Sequence, residues 1–168
     1  YSHIYGIPST GLRFFTVYGP WGRPDMAPMI FTKSILNNDP INVFNYGKMR
    51  RDFTFIDDIV EGIFHCCYKP ASANKEKDII NFDASTSFAP HRIFNIGNSN
   101  SVELLKFINI LEEEIGTKAI INFVEMLPVD VTETEADTSK LKSWINFTPK
   151  TSIEEGIKKF VDWYKKFY

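Results

Sequence analysis

Short β-type segments alternate with amphipathic helical segments along this chain, and that alternation restricts its fold more than any other feature. Apolar and β-branched runs bounded by Gly, Pro or Asn predict strands at residues 10–18, 41–45, 52–56, 92–97 and 118–124. Apolar residues at helical spacing predict helices at residues 29–36, 58–67, 104–115, 139–145 and 153–164. Helices dispersed among strands in this way do not form a bundle, so the sequence predicts a mixed α/β fold.

The starts of several helices carry capping residues. Asp57 is a natural N-cap for the helix that follows it. Two capping boxes, in which an N-cap side chain and a glutamate three residues later satisfy free backbone amides, are predicted at Asn100-x-x-Glu103 and Ser152-x-x-Glu155. We therefore expect three helices to begin beside these residues.

Three further stretches have a simple local interpretation. The first six residues have the pattern of a helix tail closed by Gly6, and no methionine precedes them, so we expect a piece of a longer protein. Residues 70–90 are polar and irregular, which indicates a surface excursion. The acidic run at 112–114 is predicted to be a solvated helix face.

Composition and charge exclude several classes of function. The 168 residues are 43% hydrophobic and 24% charged, which is the balance of a globular protein with its own core. The formal net charge of −2 provides no basic field for nucleic acid. The apolar runs are too short to span a bilayer. We therefore expect neither a nucleic-acid partner nor a membrane partner.

Cysteine and histidine are too sparse to organise a disulfide or a metal site. Cys66 and Cys67 are neighbours on a predicted helix, so their side chains diverge and we expect no disulfide between them. This usage favours a reducing, cytoplasmic setting. His3, His65 and His91 are scattered, with no carboxylate or cysteine at ligand spacing, so no metal site is expected.

Four blocks of sequence contain most of the residues that could carry chemistry. They are GLRFFTVYGPWGRPDM at 11–26, RDFTFIDDIVEG at 51–62, APHRIFNIGN at 89–98 and SIEEG at 152–156. Together, and in this order, they resemble the signatures of the NAD-dependent epimerase/dehydratase family of extended short-chain dehydrogenases. They are most similar to its UDP-glucuronate 4-epimerase branch, and the resemblance covers nearly the whole chain.

The resemblance implies a fold and a division into domains. The chain would be the C-terminal part of an NAD(P)-binding Rossmann-type protein, consisting mainly of its small mixed α/β substrate-binding domain. Residues 1–28 would end the Rossmann domain, and residues 29–168 would form the UDP-sugar domain with late returns to the Rossmann sheet. The family's Gly-x-x-Gly-x-x-Gly turn and Tyr-x-x-x-Lys pair are absent from the sequence. We therefore expect no catalytic residue in this chain, and only poor NAD binding and no turnover by these residues alone.

Three residues are the strongest candidates for substrate contacts. Thr16 is the last hydroxyl before the carboxyl end of the first predicted strand, the edge where ligands bind in open α/β sheets. Arg23 lies in a loop restricted by Gly22 and Pro24, where its guanidinium could bind a carboxylate or pyrophosphate through two hydrogen bonds. The resemblance implies that Thr16 contacts the sugar carboxylate and that Arg51 contacts the UDP phosphates.

Further contacts are implied by the resemblance alone. Val43, Phe44 and Asn45 correspond to the segment that holds the uracil, and Phe15 and Val17 flank the position that faces the cofactor, NAD. Each of these residues also has a purely structural interpretation, as a strand or core residue. The same is true of Thr16 as a β-branched strand residue and of Arg23 as a solvated loop residue.

The arginine pair that precedes the second motif block can be sorted by strand geometry. Adjacent residues on an extended chain point to opposite sides, so only one of Arg50 and Arg51 can reach a given anion. Asp52 is predicted either to position Arg51 or to cap a turn. Leu127-Pro-Val-Asp130 departs from the Gln-x-Gly-Asp of relatives, so no phosphate contact is assigned to that loop.

The function implied is inversion at carbon 4 of UDP-glucuronate through a transient 4-keto sugar, with NAD bound. The keto intermediate of a uronate is prone to lose carbon dioxide, and Thr16, together with Arg23, is predicted to hold the carboxylate in a conformer that disfavours this loss. UDP-uronate decarboxylase, 4,6-dehydratase and UDP-hexose 4-epimerase activities remain open, since they share this fold and cofactor. A non-catalytic nucleotide-sugar module or an inert fragment is the alternative of another class. The resemblance also implies a homodimer for the full-length protein.

Overall fold

Three small sheets and the helices packed on them build this protein. The structure is a computed structural model that describes residues 1–74 and 83–168. Its strands are β1 (Ser9–Phe14), β2 (Thr16–Tyr18), β3 (Pro40–Phe44), β4 (Arg50–Phe55), β5 (His91–Ile96), β6 (Ser101–Glu103) and β7 (Ile120–Val124). Its helices are α1 (Ser2–Tyr5), α2 (Ala27–Asn37), α3 (Ile56–Tyr68), α4 (Leu104–Ile115), α5 (Ser139–Ile145) and α6 (Ile153–Phe167), with a 3-10 turn at Asn45–Gly47.

Strand pairing is mostly parallel. β1 lies parallel to β5, and β3 lies parallel to β7. β4 is the centre of the third sheet, with β2 parallel to it on one side and β6 antiparallel on the other. Parallel pairs need long crossovers, which the intervening helices supply. The mixed α/β fold predicted from the sequence is confirmed.

Residues 10–18, predicted to be one buried strand, form two strands in different sheets. β1 ends at Phe14, and after Phe15 the chain pairs with β4 instead of β5. The Phe15 amide still donates to the Ile96 carbonyl at 3.2 Å, so its hydrogen bond is kept while the chain changes sheets. β1 is half-buried to exposed rather than buried.

The larger core lies between β4 and helices α4 and α6. Phe107 and Phe160 are fully buried there, and the ring of Phe53 stacks on Phe107 with 4.4 Å between ring centroids. Burying one such side chain contributes about 2 kcal/mol. Phe31 of α2 and Ile41 of β3 belong to the same cluster. The core therefore fixes the positions of α2 and β3, the two elements that flank the cavity described below.

A smaller core joins β5 to α3 and α5. Its buried members are Ile59, Cys66, Phe94, Ile96, Leu141, Ile145 and Phe147. Cys66 is buried and Cys67 is exposed, and both are free, as the divergence of neighbouring helical side chains predicted. Burial raises the pKa of the Cys66 thiol.

The predicted N-cap at Asp57 is wrong. α3 begins two residues earlier than predicted, at Ile56, and its N-cap Phe55 makes no side-chain capping bond. The neighbouring Asp58 is buried, and its carboxylate accepts hydrogen bonds from the amides of Lys150 at 3.3 Å and Thr151 at 3.0 Å. The second acid therefore anchors the segment before α6, a long-range role that a local capping rule does not detect.

Of the two predicted capping boxes, only the N-cap half of the one at Ser152 is found in the described residues, because the Glu155 carboxylate pairs with Lys159 instead. Ser152 caps α6, and its hydroxyl accepts from the Glu155 amide at 3.1 Å. The box at Asn100 is wrong, because Ser101–Glu103 forms β6 and α4 begins only at Leu104. Residues 101–103 pair with β4 instead, and the Leu104 amide donates to the Met49 carbonyl at 2.9 Å.

The acidic run at 112–114 is not wholly solvated. Glu112 is buried, and its carboxylate accepts from Lys118 at 2.5 Å and from the Ala119 amide at 2.9 Å. The pair raises the pKa of Lys118, chiefly through this hydrogen bond. Glu112 thus fastens the end of α4 to the segment that leads into β7.

The remaining local predictions concern the ends of the molecule and its surface. α1 ends at Tyr5, and its C-cap Gly6 has φ 64°, the left-handed conformation predicted there. The excursion at 70–90 lies partly outside the described residues; within them, the Asn74 amide donates to the Ser87 carbonyl at 2.7 Å. Among the described helices none is long and apolar enough to cross a membrane.

Replacing Gly156 by alanine is expected to destabilise the protein by about 2 kcal/mol. A β-carbon at this position of α6 would overlap the hydroxyl of Tyr18, whose ring is held edge-on by Phe53 and Phe55. This overlap outweighs the gain of about 1 kcal/mol in helix propensity.

The free energy of unfolding, measured by urea denaturation, checks this. Gly11→Ala is the matched control, because a β-carbon there meets Ile93 at an ordinary 3.6 Å. Equal stability of the two variants would show that the Tyr18 ring is free to move.

Candidate ligand-binding site

A cavity of about 470 Å³ opens beside β2, between the start of α2 and strand β3. Its polar lining residues are Thr16, Asp25, Asn42, Arg51 and Asp130. The rest of the lining is mostly apolar and includes Met26, Pro28, Ile30, Phe31, Ile41, Phe44, Met49, Phe53 and Leu104. An apolar cleft with a few convergent polar groups is the usual form of a small-molecule site.

Strand alternation aims Thr16 into this cavity. Thr16 pairs with Phe53 of β4, which also lines the cavity, whereas the next residue, Val17, packs on the smaller core behind the strand. Tyr18 returns to the first side but is buried, and burial raises the pKa of its phenol far above the usual value. Tyr18 therefore keeps its proton and is a structural residue.

Arg51 is fixed in the cavity wall by three protein groups. Its Nη2 donates to Asp130 Oδ1 at 2.7 Å, and its Nη1 donates to the carbonyls of Arg50 at 2.9 Å and Thr132 at 3.3 Å. Its side chain is only 18% exposed. No partner of its Nε is found among the described residues, so a donor remains for a ligand.

Arg50 points away from Arg51, as the geometry of an extended chain predicted. Its guanidinium binds Ser101, Glu103 and Glu133, and it does not line the cavity. The two adjacent arginines therefore differ in role: Arg50 joins β4 to its neighbours, and Arg51 faces the cavity.

Asp52 does not position Arg51, and that part of the prediction is wrong. Its carboxylate is fully buried and accepts hydrogen bonds from the amides of Asn98 at 2.9 Å, Ser99 at 3.0 Å and Ala136 at 2.8 Å. The alternative role of holding a turn is the one that the structure shows. Asp52 ties the loop after β5 and the loop before α5 to the strand that carries Arg51.

Arg23 lies at the rim rather than in the cavity. Its side chain is 74% exposed, and both guanidinium contacts in the described residues go to Asp25, which does line the cavity. This pairing holds the pKa of the Asp25 carboxyl below its usual range and raises that of Arg23. Thus Thr16 and Arg51 line the same cavity. Arg23 does not line it and contacts it only through Asp25.

The predicted uracil segment is only partly at the cavity. Phe44 lines it, but the side chain of Val43 is fully buried in the larger core. Val43 can therefore contribute only backbone groups. Asn45 lies beyond the lining, with φ 49°, and its side-chain amide donates to the Lys48 carbonyl at 2.8 Å.

Phe15 and Val17, the predicted cofactor contacts, lie where the chain passes from one sheet to the next. Both are partly buried and neither carries charge. The sequence has no glycine-rich turn to seat a dinucleotide pyrophosphate at a helix N-terminus. These residues alone do not form a site that fits NAD, and Phe15 and Val17 stay predicted contacts.

Asp25 and Asp130 are site residues that the sequence reasoning missed. Asp25 follows the loop arginine by two positions, a spacing that could have suggested the pair. Asp130 belongs to the loop in which Val129 stands where the family resemblance implies a glycine. Val129 is 92% exposed and has no left-handed backbone, so the Leu127–Asp130 turn closes without glycine. No cluster of three or more metal-binding side chains occurs in the part of the chain that the structure describes.

Comparison with known proteins identifies the class. The model of the NAD dependent epimerase/dehydratase family matches residues 1–97, more than half of the chain. The chain belongs to this family. The predicted family and extended short-chain dehydrogenase fold are confirmed, and NAD is the cofactor of the family.

Two curated relatives show which members of the family this chain is similar to. Protein CapI of Staphylococcus aureus is 51% identical over 168 residues, which are 100% of this chain and 50% of that protein. A probable UDP-glucuronate 4-epimerase of Rhizobium meliloti is 43% identical over 169 residues, again 100% of this chain and 50% of that protein. The chain thus spans about half the length of the curated relatives that it matches.

A solved structure gives the same picture. The UDP-glucuronic acid 4-epimerase from Bacillus cereus, in complex with UDP-glucuronic acid and NAD, is 32% identical to this chain. The two superpose with a TM-score of 0.79, over 99% of this chain and 48% of that chain.

Substituting asparagine for Asp52 is expected to cost about 2–4 kcal/mol of stability. An asparagine has one acceptor oxygen, and its NH2 group would face a backbone N–H that the carboxylate now binds. The free energy of unfolding from urea titration measures the loss. Asp162→Asn, an exposed residue of α6, is the control and should change stability by less than about 0.5 kcal/mol. Similar values for both variants would contradict the role assigned to Asp52.

Proposed function

We propose that this chain supplies the UDP-sugar site of an NAD-dependent epimerase that inverts carbon 4 of UDP-glucuronate. The observation that carries the proposal is Arg51, the cation in a largely apolar cavity that Thr16 and Phe44 also line. Support comes from the family, and from the UDP-glucuronate named for relatives at 43% and 32% identity.

The cavity suggests how the parts of the ligand would be arranged. The diphosphate would bind the remaining donors of Arg51, because charge-assisted hydrogen bonds to phosphate are among the strongest in proteins. The uracil would lie at the apolar end, between Pro28 of α2 and Phe44 of β3. The sugar would then face Thr16, the first residue of β2, with Arg23 close to its carboxylate.

The division of the chain follows from the incomplete sheet that β1 forms. β1 has one partner, β5, among the described residues, whereas parallel sheets are usually buried on both faces. Phe14 of β1 is exposed, as are Ile4 and Tyr5 of the preceding helix α1. We therefore propose that residues 1–28 end a Rossmann domain and that residues 29–168 form the UDP-sugar domain, with β5 returning to the Rossmann sheet. The proposal extends to a cytoplasmic homodimer for the whole protein.

Catalysis would need groups that these 168 residues do not contain. NAD supplies a hydride acceptor for carbon 4 in the proposed reaction, and neither the glycine-rich turn nor the Tyr-x-x-x-Lys pair is in the sequence. Residues 1–168 alone are therefore expected to bind UDP and not to turn over the sugar. What the chain itself would provide is the Arg51 contact to the diphosphate and the Thr16 hydroxyl at the sugar carboxylate.

Other activities of the family differ from the proposed one in the sugar or in the fate of the keto intermediate. A UDP-hexose 4-epimerase would favour a neutral sugar, which binding experiments can detect. A decarboxylase or a 4,6-dehydratase differs in its products, and a non-catalytic module would bind UDP-sugar without turnover in any context.

Replacing Arg51 by glutamine is expected to weaken UDP binding about 10- to 100-fold, the effect of losing a charge-assisted hydrogen bond of about 1.5–3 kcal/mol. Isothermal titration of the 168-residue chain with UDP measures this. Arg50→Gln is the matched control, since the neighbouring guanidinium binds only protein groups, and it should change affinity less than about threefold. Equal losses in both variants, or no UDP binding by the wild-type chain, would contradict the proposed site.

Removing the Thr16 hydroxyl with Thr16→Val is expected to weaken UDP-glucuronate binding about tenfold and to leave UDP binding unchanged, because only the uronate offers a charged acceptor there. Titrations with UDP-glucuronate, UDP-glucose and UDP measure the difference. Thr32→Val is the control, because this buried threonine of α2 does not line the cavity.

An equal loss for UDP-glucose would contradict the carboxylate contact, because the hydroxyl would then bind a group that both sugars carry. In an active protein that contains these residues, Thr16→Val should also raise the decarboxylated by-product. An unchanged by-product would exclude the protective role of this hydroxyl.

A further inference from the structure

The charge of the cavity lining does not match an anionic ligand. Its ionisable lining residues are Arg51, Asp25 and Asp130, one cation against two carboxylates. Arg23 compensates Asp25 from outside the lining. Asp130 is the carboxylate in direct contact with the cation that would receive a diphosphate.

Asp130 is held in place independently of Arg51. Its Oδ1 accepts from the Val131 amide at 2.8 Å, and its own amide donates to the Leu127 carbonyl at 3.0 Å. The loop that follows is joined to β4, because the Arg50 amide donates to the Thr132 carbonyl at 2.9 Å. The carboxylate therefore has a fixed position in the cavity wall, whether or not Arg51 contacts it.

Arg51 is also oriented without Asp130. Two backbone carbonyls hold its Nη1, and the side chain is mostly buried. Removing the charge of Asp130 would therefore leave the guanidinium in the cavity wall. What changes is the net charge that a ligand phosphate meets at Arg51.

We propose that Asp130 is a specificity-determining residue that acts as a built-in anion on Arg51 and lowers the affinity of the cavity for diphosphates. This inference rests on the proposed function, because it takes the Arg51 cavity to be the diphosphate site. A ligand phosphate at the open donors of Arg51 lies within a few ångströms of the Asp130 carboxylate and is repelled by it. Binding then depends on the uracil and sugar contacts as well as on charge, which excludes phosphate-bearing compounds that lack them.

The proposal predicts a gain of binding on a loss of charge. Asp130→Asn keeps an acceptor oxygen for Arg51 and Val131 but removes the negative charge. UDP is expected to bind about five- to tenfold more tightly, the effect of removing repulsion between charges several ångströms apart at a partly exposed site. Uridine, which carries no phosphate, should bind with unchanged affinity.

The experiment is isothermal titration of the wild-type chain, Asp130→Asn and Glu133→Gln with UDP and with uridine, at low and at high salt. Glu133 is the matched control: it is a carboxylate of the same loop, paired with Arg50, and it does not line the cavity. The gain in Asp130→Asn should shrink at high salt, because salt screens the repulsion. The gain should be absent in Glu133→Gln. Thermal unfolding of each variant verifies that the fold is kept.

The outcomes separate this inference from the proposed function. UDP binding that depends on Arg51 and tightens in Asp130→Asn supports both. UDP binding that depends on Arg51 but is unchanged or weaker in Asp130→Asn overturns the built-in anion and leaves the diphosphate site standing. A gain of equal size in Glu133→Gln overturns it too, because the effect would then be one of net charge. Absence of UDP binding in all three proteins overturns both proposals.

Discussion

The buried carboxylate of Asp52 is the interaction on which the candidate site depends. It lies in the middle of the site's central strand, β4, and gathers the backbone amides of Asn98, Ser99 and Ala136, which come from two separate loops. A buried carboxylate is costly unless such donors surround it, and here they are backbone groups that cannot rotate away. One of these loops follows β5 and the other precedes α5. This one side chain therefore joins the β1–β5 sheet and α5 to the strand that carries Arg51.

Strand alternation then converts one run of polar residues into three separate roles. Arg50 faces the loop and β6, Arg51 faces the cavity, and Asp52 returns to the buried side. A shift of one residue in the pairing of β4 would exchange all three environments at once. Tight burial of Phe53 and Phe55, which continue the same strand into the larger core, prevents such a shift.

Sequence reasoning succeeded where a signal is local and failed where the partner is remote. The Ser152 N-cap and the αL position of Gly6 depend on neighbours within a few residues, and both were predicted correctly. The box at Asn100 satisfies the same local rule, but strand β4, about fifty residues away, takes the segment for pairing. The same limit explains the site. Thr16 was predicted as a ligand contact because it lies near the carboxyl end of a predicted strand, which is a local signal. The contact between Asp130 and Arg51 joins residues 79 positions apart and has no local pattern.

The distribution of polar groups in the cavity suits a ligand that must be held at one end and move at the other. An epimerase of the proposed kind has to keep UDP bound while the oxidised sugar rotates in the site. Strong contacts are therefore expected at the diphosphate and weak ones at the sugar. In the proposed arrangement Arg51, held by two carbonyls, would be the strong contact, and Thr16 would offer a single neutral hydroxyl across an apolar space. A second fixed cation near Thr16 would hold a uronate too firmly to rotate. The position of Arg23 at the exposed rim, already paired with Asp25, is consistent with that requirement, because a solvent-screened pair can exchange partners at little cost.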